Sequence, residues 1–316
     1  LAERSVISCR EGGRRAWLWI SSRRSFHPLA TRPSTVLIAH LHRRHRSQPL
    51  PQSQLSLQMV VYCELFGVPQ PYLVAPAILF SSFTALLAEV FVSYVSAPLL
   101  RLVDSDFDRR GAEQQRLWGG RLVSTIHACV AFSGAVYTTF LDPQILANPV
   151  GGHSIAWKLI GSFSAAYFLW DLSECLRYPA LYGREYVFHA CVCIAAYATS
   201  AWFNTFPWLG SFGLLYEAST PFVNLRQTLI SLKRTNSRLF RMTEMTFFLL
   251  FFFVRICGGA YFLFYGLQMV LAEHCVALPH RLVAGMTVLS SSALNTFWFI
   301  QIVRRVIKNL TTKKKD

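Results

Sequence analysis

The stretch TFFLLFFFVRICGGAYFLFYGLQMVL, residues 246–271, decides the solvent in which this chain folds. Arg255 is its only charged side chain. A helix needs about 20 mostly apolar residues to cross a hydrocarbon core about 30 Å thick, because backbone groups left unpaired in lipid are too costly. Stretches of the same kind recur on both sides of it. Spans are expected at roughly 72–100, 118–141, 154–176, 185–204, 208–231, 242–271 and 282–304. The fifth is the least apolar. The connections are short and no internal repeat is visible, so the expected fold is all-α: a polytopic transmembrane helical bundle of about seven spanning helices in one membrane domain, residues 60–310. Composition agrees, since 53% hydrophobic residues, 25 Phe and only 15% charged residues among 316 do not describe a soluble surface.

The formal charge of +15 would fit a nucleic-acid binder if it were spread over a folded domain. It is not. Residues 1–58 hold ten Arg against only Glu3 and Glu11, with no Lys, and Met59 comes next. This segment reads as a disordered leader or non-native upstream sequence. Its Arg- and Ser-rich, acid-poor composition also fits a mitochondrial transit peptide, but the long apolar spans after it argue otherwise. No nucleic-acid partner is expected. Of the eight Cys, Cys129, Cys175, Cys191, Cys193 and Cys257 fall within or beside spans, where a thiol acts as a small hydrophobe. No Cys-x-x-Cys or Cys/His spacing argues for a metal, and no cofactor is expected.

Lys and Arg should accumulate in alternate loops, on the cytosolic side. Arg101, Arg109, Arg110 and Arg116 precede the second span. Arg177 and Arg184 fall between the third and fourth, and Lys233, Arg234, Arg238 and Arg241 between the fifth and sixth. The intervening loops 142–153 and 205–207 carry none, and 272–281 has only Arg281 at its edge. Seven spans then put Met59 in the lumen and the basic tail, residues 311–316, in the cytosol. Lys313, Lys314, Lys315 and Asp316 resemble the dilysine signal that returns membrane proteins to the endoplasmic reticulum; the alternative is a basic flank attracted to anionic headgroups. Asn309-Leu310-Thr311 matches a glycosylation acceptor, but on the cytosolic side it should stay unmodified.

Ionisable groups inside spans cost several kcal/mol unless they face the protein interior, so they carry the functional information. In the third span Ser164, Tyr167, Asp171 and Glu174 share one helix face; in the fifth, Glu217, Thr220, Asn224, Gln227 and Ser231 do the same. Pro221 is expected to kink the fifth span and free a carbonyl. Arg121 and His127 in the second span, His189 in the fourth, Arg226 in the fifth, Arg255 in the sixth and Glu89 in the first complete the set. One reading gathers Arg121, His127, Asp171, His189, Glu217, Asn224, Arg226 and Arg255 into a polar cavity that holds a lipid headgroup. Another makes His189 or His127 a base oriented by Asp171 or Glu217. The plainer alternative is packing glue worth about 0.6–2 kcal/mol per pair, with Arg226 and Arg255 simply paired to Glu217 and Asp171.

Several strings resemble one family. These are Trp118-Gly119-Gly120-Arg121 through His127, Tyr167 to Ser173 with Asp171, Tyr186-Val187-Phe188-His189, Leu214 to Arg226, Phe253-Val254-Arg255 and Asn295-Thr296-Phe297-Trp298. Together they resemble the TRAM-LAG1-CLN8 (TLC) domain over roughly residues 115–310, and Glu217 to Arg226 is the most specific. The resemblance implies a multi-pass protein, often of the endoplasmic reticulum, that synthesises, senses or moves lipids. Its best-known enzymes, the ceramide synthases, join an acyl chain from acyl-coenzyme A to a sphingoid amine with a His-His pair followed by two Asp. Here His189 matches the first His, Ala190 replaces the second, and Glu217 and Thr220 stand where the Asp residues are expected. His127 is a candidate to replace the missing member in space. The leading expectation is therefore a non-catalytic lipid-handling protein, with membrane lipids as partners. The alternatives are an acyl-coenzyme A-dependent N-acyltransferase using His189, Glu217 and Asp171, and a membrane chaperone or cargo receptor.

Overall fold

The computed structural model describes residues 4–11, 14–21 and 71–312, with side-chain environments for 74–308. The chain divides into two compact units, residues 1–61 and 62–316. In the first, β1 (Arg4–Glu11) pairs antiparallel with β2 (Arg14–Ser21), Arg4 opposite Ser21. The rest of the leader and the Lys313–Asp316 tail lie outside the described residues.

The second unit is a helical membrane bundle, and every expected span is helical. Helix α1 (Pro71–Val90) continues through a π turn, Phe91–Val95, into α2 (Ser96–Arg101). Helix α3 (Ala112–Phe140), the short α4 (Pro143–Ala147) and α5 (Ile155–Arg177) come next. Helix α6 (Arg184–Tyr197) ends in a second π turn, Ala198–Trp202. The fifth expected span is broken into α7 (Pro207–Leu214), a 3-10 turn (Leu215–Ser219) and α8 (Thr220–Ser231). Helices α9 (Arg238–Leu250) and α10 (Gly258–Ala272) are joined by a third π turn, Phe251–Cys257, and α11 (Leu278–Thr312) closes the bundle. Four lengths, Val74–Arg101, Ala112–Phe140, Arg238–Ala272 and Leu278–Lys308, are long and apolar enough to cross a membrane. Of the three remaining segments, α5 carries a polar stripe, α6 ends in the π turn and the fifth is broken by the 3-10 turn.

Pro221 occupies the first turn of α8, where its missing N–H costs nothing. The expected free carbonyl does not arise, because that of Glu217 accepts from the Thr220 N–H. The break is therefore a tightened turn with its backbone satisfied. At the N-terminal end of α5, Asp142 caps α4 by accepting from the Gln144 N–H at 2.9 Å, and Ser154 caps α5 by accepting from the Trp157 N–H at 2.9 Å. The Ser154 hydroxyl also donates to Asp142, which locks the two caps together.

Lipid tails are as apolar as leucine, so helix association depends on close packing and interhelical hydrogen bonds. Helix α5 packs against α1, α3 and α6. Gly134 of α3 lets α5 approach so closely that a Cβ there would lie 2.5 Å from Ile160. The main core joins Ala131 and Ala135 to Trp157, Phe168, Tyr197, Phe212, Phe262 and Val288. Leu79, Phe83, Phe264, Leu282 and Met286 are exposed, as a lipid-facing perimeter requires. Cys275, in the connection between α10 and α11, is disulfide-bonded; spacing in the sequence does not announce this bond.

Candidate functional site

A cavity of about 70 Å³ lies among α6, α7, the 3-10 turn, the Phe251–Cys257 turn, α10 and α11. Its charged, imidazole and amide side chains come from four separate segments, and Thr199, Ser200 and Thr205 add hydroxyls. His189 is contributed by α6, Tyr216 and Glu217 by the 3-10 turn, Arg255 by the π turn and Asn295 by α11. Tyr197, Phe262 and Trp298 supply aromatic wall. The two irregular turns position two of the three charged or basic groups. A π turn inserts one residue, which rotates the next part of the helix by about 100°. The 3-10 turn places Tyr216 and Glu217 at a break between α7 and α8.

Arg255 is held by three acceptors. Its Nε donates to Ser219 Oγ at 2.9 Å, Nη1 to Asn295 Oδ1 at 3.1 Å and Nη2 to Thr220 Oγ1 at 3.5 Å. Its guanidinium carbon lies 5.8 Å from the Tyr216 ring centroid and 5.3 Å from that of Phe251. Glu217 is 7% exposed and has the Thr220 hydroxyl beside it, yet it forms no salt bridge among the described residues. Thus Arg255 and Glu217 line one cavity within electrostatic range of each other but without direct contact. The expected Arg255–Asp171 and Arg226–Glu217 pairs do not form.

Two buried atoms at the same place lack a protein partner among the described residues: the Tyr216 hydroxyl and Asn295 Nδ2. Each belongs to a residue less than one-tenth exposed. Buried polar atoms are nearly always hydrogen-bonded, so these two, on residues that line the cavity, are exceptions that call for a partner. Among the described residues the one polar contact of His189 is the Cys193 sulfur, at 3.7 Å, and its ring meets Phe168 and Trp298 edge to face with centroids 5.5 and 5.2 Å away. No hydrogen bond joins it to Glu217.

The other candidates lie elsewhere. His127 is 2% exposed, stacks on Tyr167 with centroids 3.9 Å apart and pairs with Ser164 Oγ at 3.2 Å. Both imidazoles lie 5.5 Å from the Phe168 ring, and His189 lines the cavity while His127 is not among its lining residues. Ala190, in that second position, is fully buried. Asn224 stitches α8 to α3, donating to Ser124 Oγ at 3.0 Å, Thr125 Oγ1 at 3.1 Å and the Arg121 carbonyl at 3.3 Å. Arg121 reaches Ser231 Oγ at 3.2 Å, and Arg226 pairs with Glu244 at 3.0 Å. Asp171 has no hydrogen bond among the described residues and lies within electrostatic range of Glu217 and Glu174.

A separate ionic cluster ties α1 to α3 and α5. Arg116 bonds Glu174 through Nε at 2.8 Å and Nη2 at 2.7 Å, and the same guanidinium meets Glu89. Glu89 also accepts from Trp170 Nε1 at 3.1 Å and Arg177 at 3.2 Å. In the sequence Arg116 is only a loop charge; in the fold it is the hub of three helices. Tyr216 and Asn295 are not singled out as site residues in the sequence, although both lie within strings that resemble the family, Leu214 to Arg226 and Asn295 to Trp298. No group of His, Cys, Asp and Glu able to hold a metal occurs among the described residues.

Comparison with known proteins places this geometry in a family. The TLC domain of the TRAM-LAG1-CLN8 family matches residues 117–304, which include every polar residue of the cavity. Topoisomerase I damage affected protein 4 of Saccharomyces cerevisiae is 33% identical over 209 residues, covering 60% of this chain and 73% of that protein. TLC domain-containing protein 4 of Homo sapiens is 28% identical over 244 residues, covering 75% of this chain and 90% of its own. TLC domain-containing protein 4-B of Xenopus laevis is also 28% identical, over 75% of this chain and 92% of its own length. With four membrane-length helices and a family match over more than half its residues, this multi-pass membrane chain belongs to the TLC-domain family.

Proposed function

We propose that this chain is a lipid-handling protein of the endoplasmic reticulum membrane, which senses or moves a lipid by holding its headgroup between Arg255, Glu217, His189 and Asn295. The observation that supports this reading is a cavity in which two charges of opposite sign stay unpaired beside two orphaned polar atoms. Charges kept apart in a low-dielectric interior are costly unless something supplies the missing counterparts. The basic loops and the disulfide at Cys275, which fits an oxidising compartment, support a lumenal connection between α10 and α11 and a cytosolic C-terminus.

The test is the profile of lipids that copurify with the full chain. Arg255→Gln and His189→Ala, each with a retained melting transition, should lose or exchange the bound species. An unchanged profile in both variants would overturn the reading.

An acyltransferase reading also has an observation in its favour, since His189 and Glu217 share the cavity. A base must meet its orienting carboxylate, although such contacts are often long before substrate binds. Acyl transfer from acyl-coenzyme A to a sphingoid base that disappears in His189→Ala would favour it; no turnover by folded protein would leave lipid handling ahead.

A further inference from the structure

We propose, resting on the headgroup reading above, that the cavity selects a small zwitterion in which a primary ammonium is joined by a short linker to a phosphate, the headgroup chemistry of an aminoethyl phospholipid. The charge arrangement requires both signs. A purely anionic headgroup would neutralise Arg255 and set its phosphate against Glu217. A bare amine would satisfy Glu217 and leave Arg255 uncompensated. A zwitterion spans the two, with phosphate at Arg255 and ammonium at Glu217.

The hydrogen-bond inventory assigns the ends more closely. Asn295 uses Oδ1 to accept from Arg255, which leaves its Nδ2 donors beside the guanidinium and free to complete a phosphate site. Arg255 spends three of its five N–H donors on Ser219, Asn295 and Thr220, and two remain. Tyr216 precedes Glu217 in the 3-10 turn, and its unpartnered hydroxyl is available as an acceptor for an ammonium N–H or a donor to phosphate.

The walls argue against a quaternary ammonium. Such a group has no N–H to give a carboxylate and is recognised instead by open aromatic faces. The Tyr216 ring already carries Arg255 at 5.8 Å. Trp298 is already engaged by His189, edge to face. The cavity's 70 Å³ corresponds to roughly five water molecules.

The full chain would be reconstituted in vesicles with equal shares of phosphatidylethanolamine, phosphatidylcholine and phosphatidic acid of matched acyl chains. It would then be extracted, and the retained lipid counted by native mass spectrometry. The expected result is at least fivefold enrichment of phosphatidylethanolamine over phosphatidylcholine, reduced to near parity in Glu217→Gln and weakened in Tyr216→Phe. Tyr216→Phe removes an oxygen with no protein partner, so it should fold normally; melting temperatures check both variants. Retention without preference, or preference for phosphatidic acid, overturns the zwitterion while keeping lipid binding. No retained lipid, together with binding of free phosphoethanolamine that is lost in Glu217→Gln, upholds the charge pairing and overturns the lipid source. Retention of neither overturns both readings.

Discussion

Asn224 and Arg255 look alike in the sequence, since each is a polar residue at the expected depth of a span, yet they have opposite tasks. The Asn224 amide donates to three acceptors on α3, and both ends of that contact are protein. Asn224→Ala should therefore cost stability, about 1–2 kcal/mol in a chemical or thermal unfolding assay in detergent, and leave the bound-lipid profile unchanged. Arg255 is only partly satisfied by protein and faces the cavity, so Arg255→Gln should change lipid retention more than stability. A stable Asn224→Ala protein with altered lipids would assign the α3–α8 seam to the binding site after all. Glycine at 134 marks a third kind of residue. Gly134→Ala would drive a methyl to 2.5 Å from Ile160 and should separate α3 from α5, read as a lower melting temperature.

Among elements, α1 is the least buried of the membrane-length helices, and the Arg116 cluster ties it to α3 and α5. The Arg116 side chain is 14% exposed and that of Glu174 is 1%. Arg116→Gln leaves Glu89 and Glu174 sharing only the half-exposed Arg177, at 3.2 and 3.5 Å, so the loss should fall below the about 3–5 kcal/mol of a buried pair broken from one side. The expected outcome is earlier proteolytic release or faster exchange of α1 while α3 to α11 stay folded. Simultaneous loss of the whole bundle would show that α1 is integral to the TLC core. Half of each polar stripe is legible from periodicity alone. Helical spacing puts Ser164, Tyr167, Asp171 and Glu174 on one face, but it does not say that Ser164 and Tyr167 meet His127 while Glu174 meets Arg116.

For the molecule as a whole, the proposed orientation places Cys275 and the C-terminal tail on opposite sides of one membrane. In sealed microsomes a C-terminal epitope should be reached by antibody without lysis. Cys275 should react with a membrane-impermeant maleimide only after lysis and reduction. A tail protected until lysis would invert the proposed topology.

The solvent, the helical class, the span positions and the family were all legible in the amino-acid order, because apolar run length and charge-free stretches are local quantities and lipid admits almost nothing but helices. The candidate residues were legible too. Which of them meet depended on tertiary packing. His189, Glu217 and Arg255 converge on the cavity, while Arg121, His127, Asn224 and Arg226 are spent on seams between helices. Periodicity gives the face of a residue but not the neighbour of that face. The turns at Leu215–Ser219 and Phe251–Cys257 change the phase of two helices at the points where the charges sit, so the partner of each charge is set by packing and not by spacing.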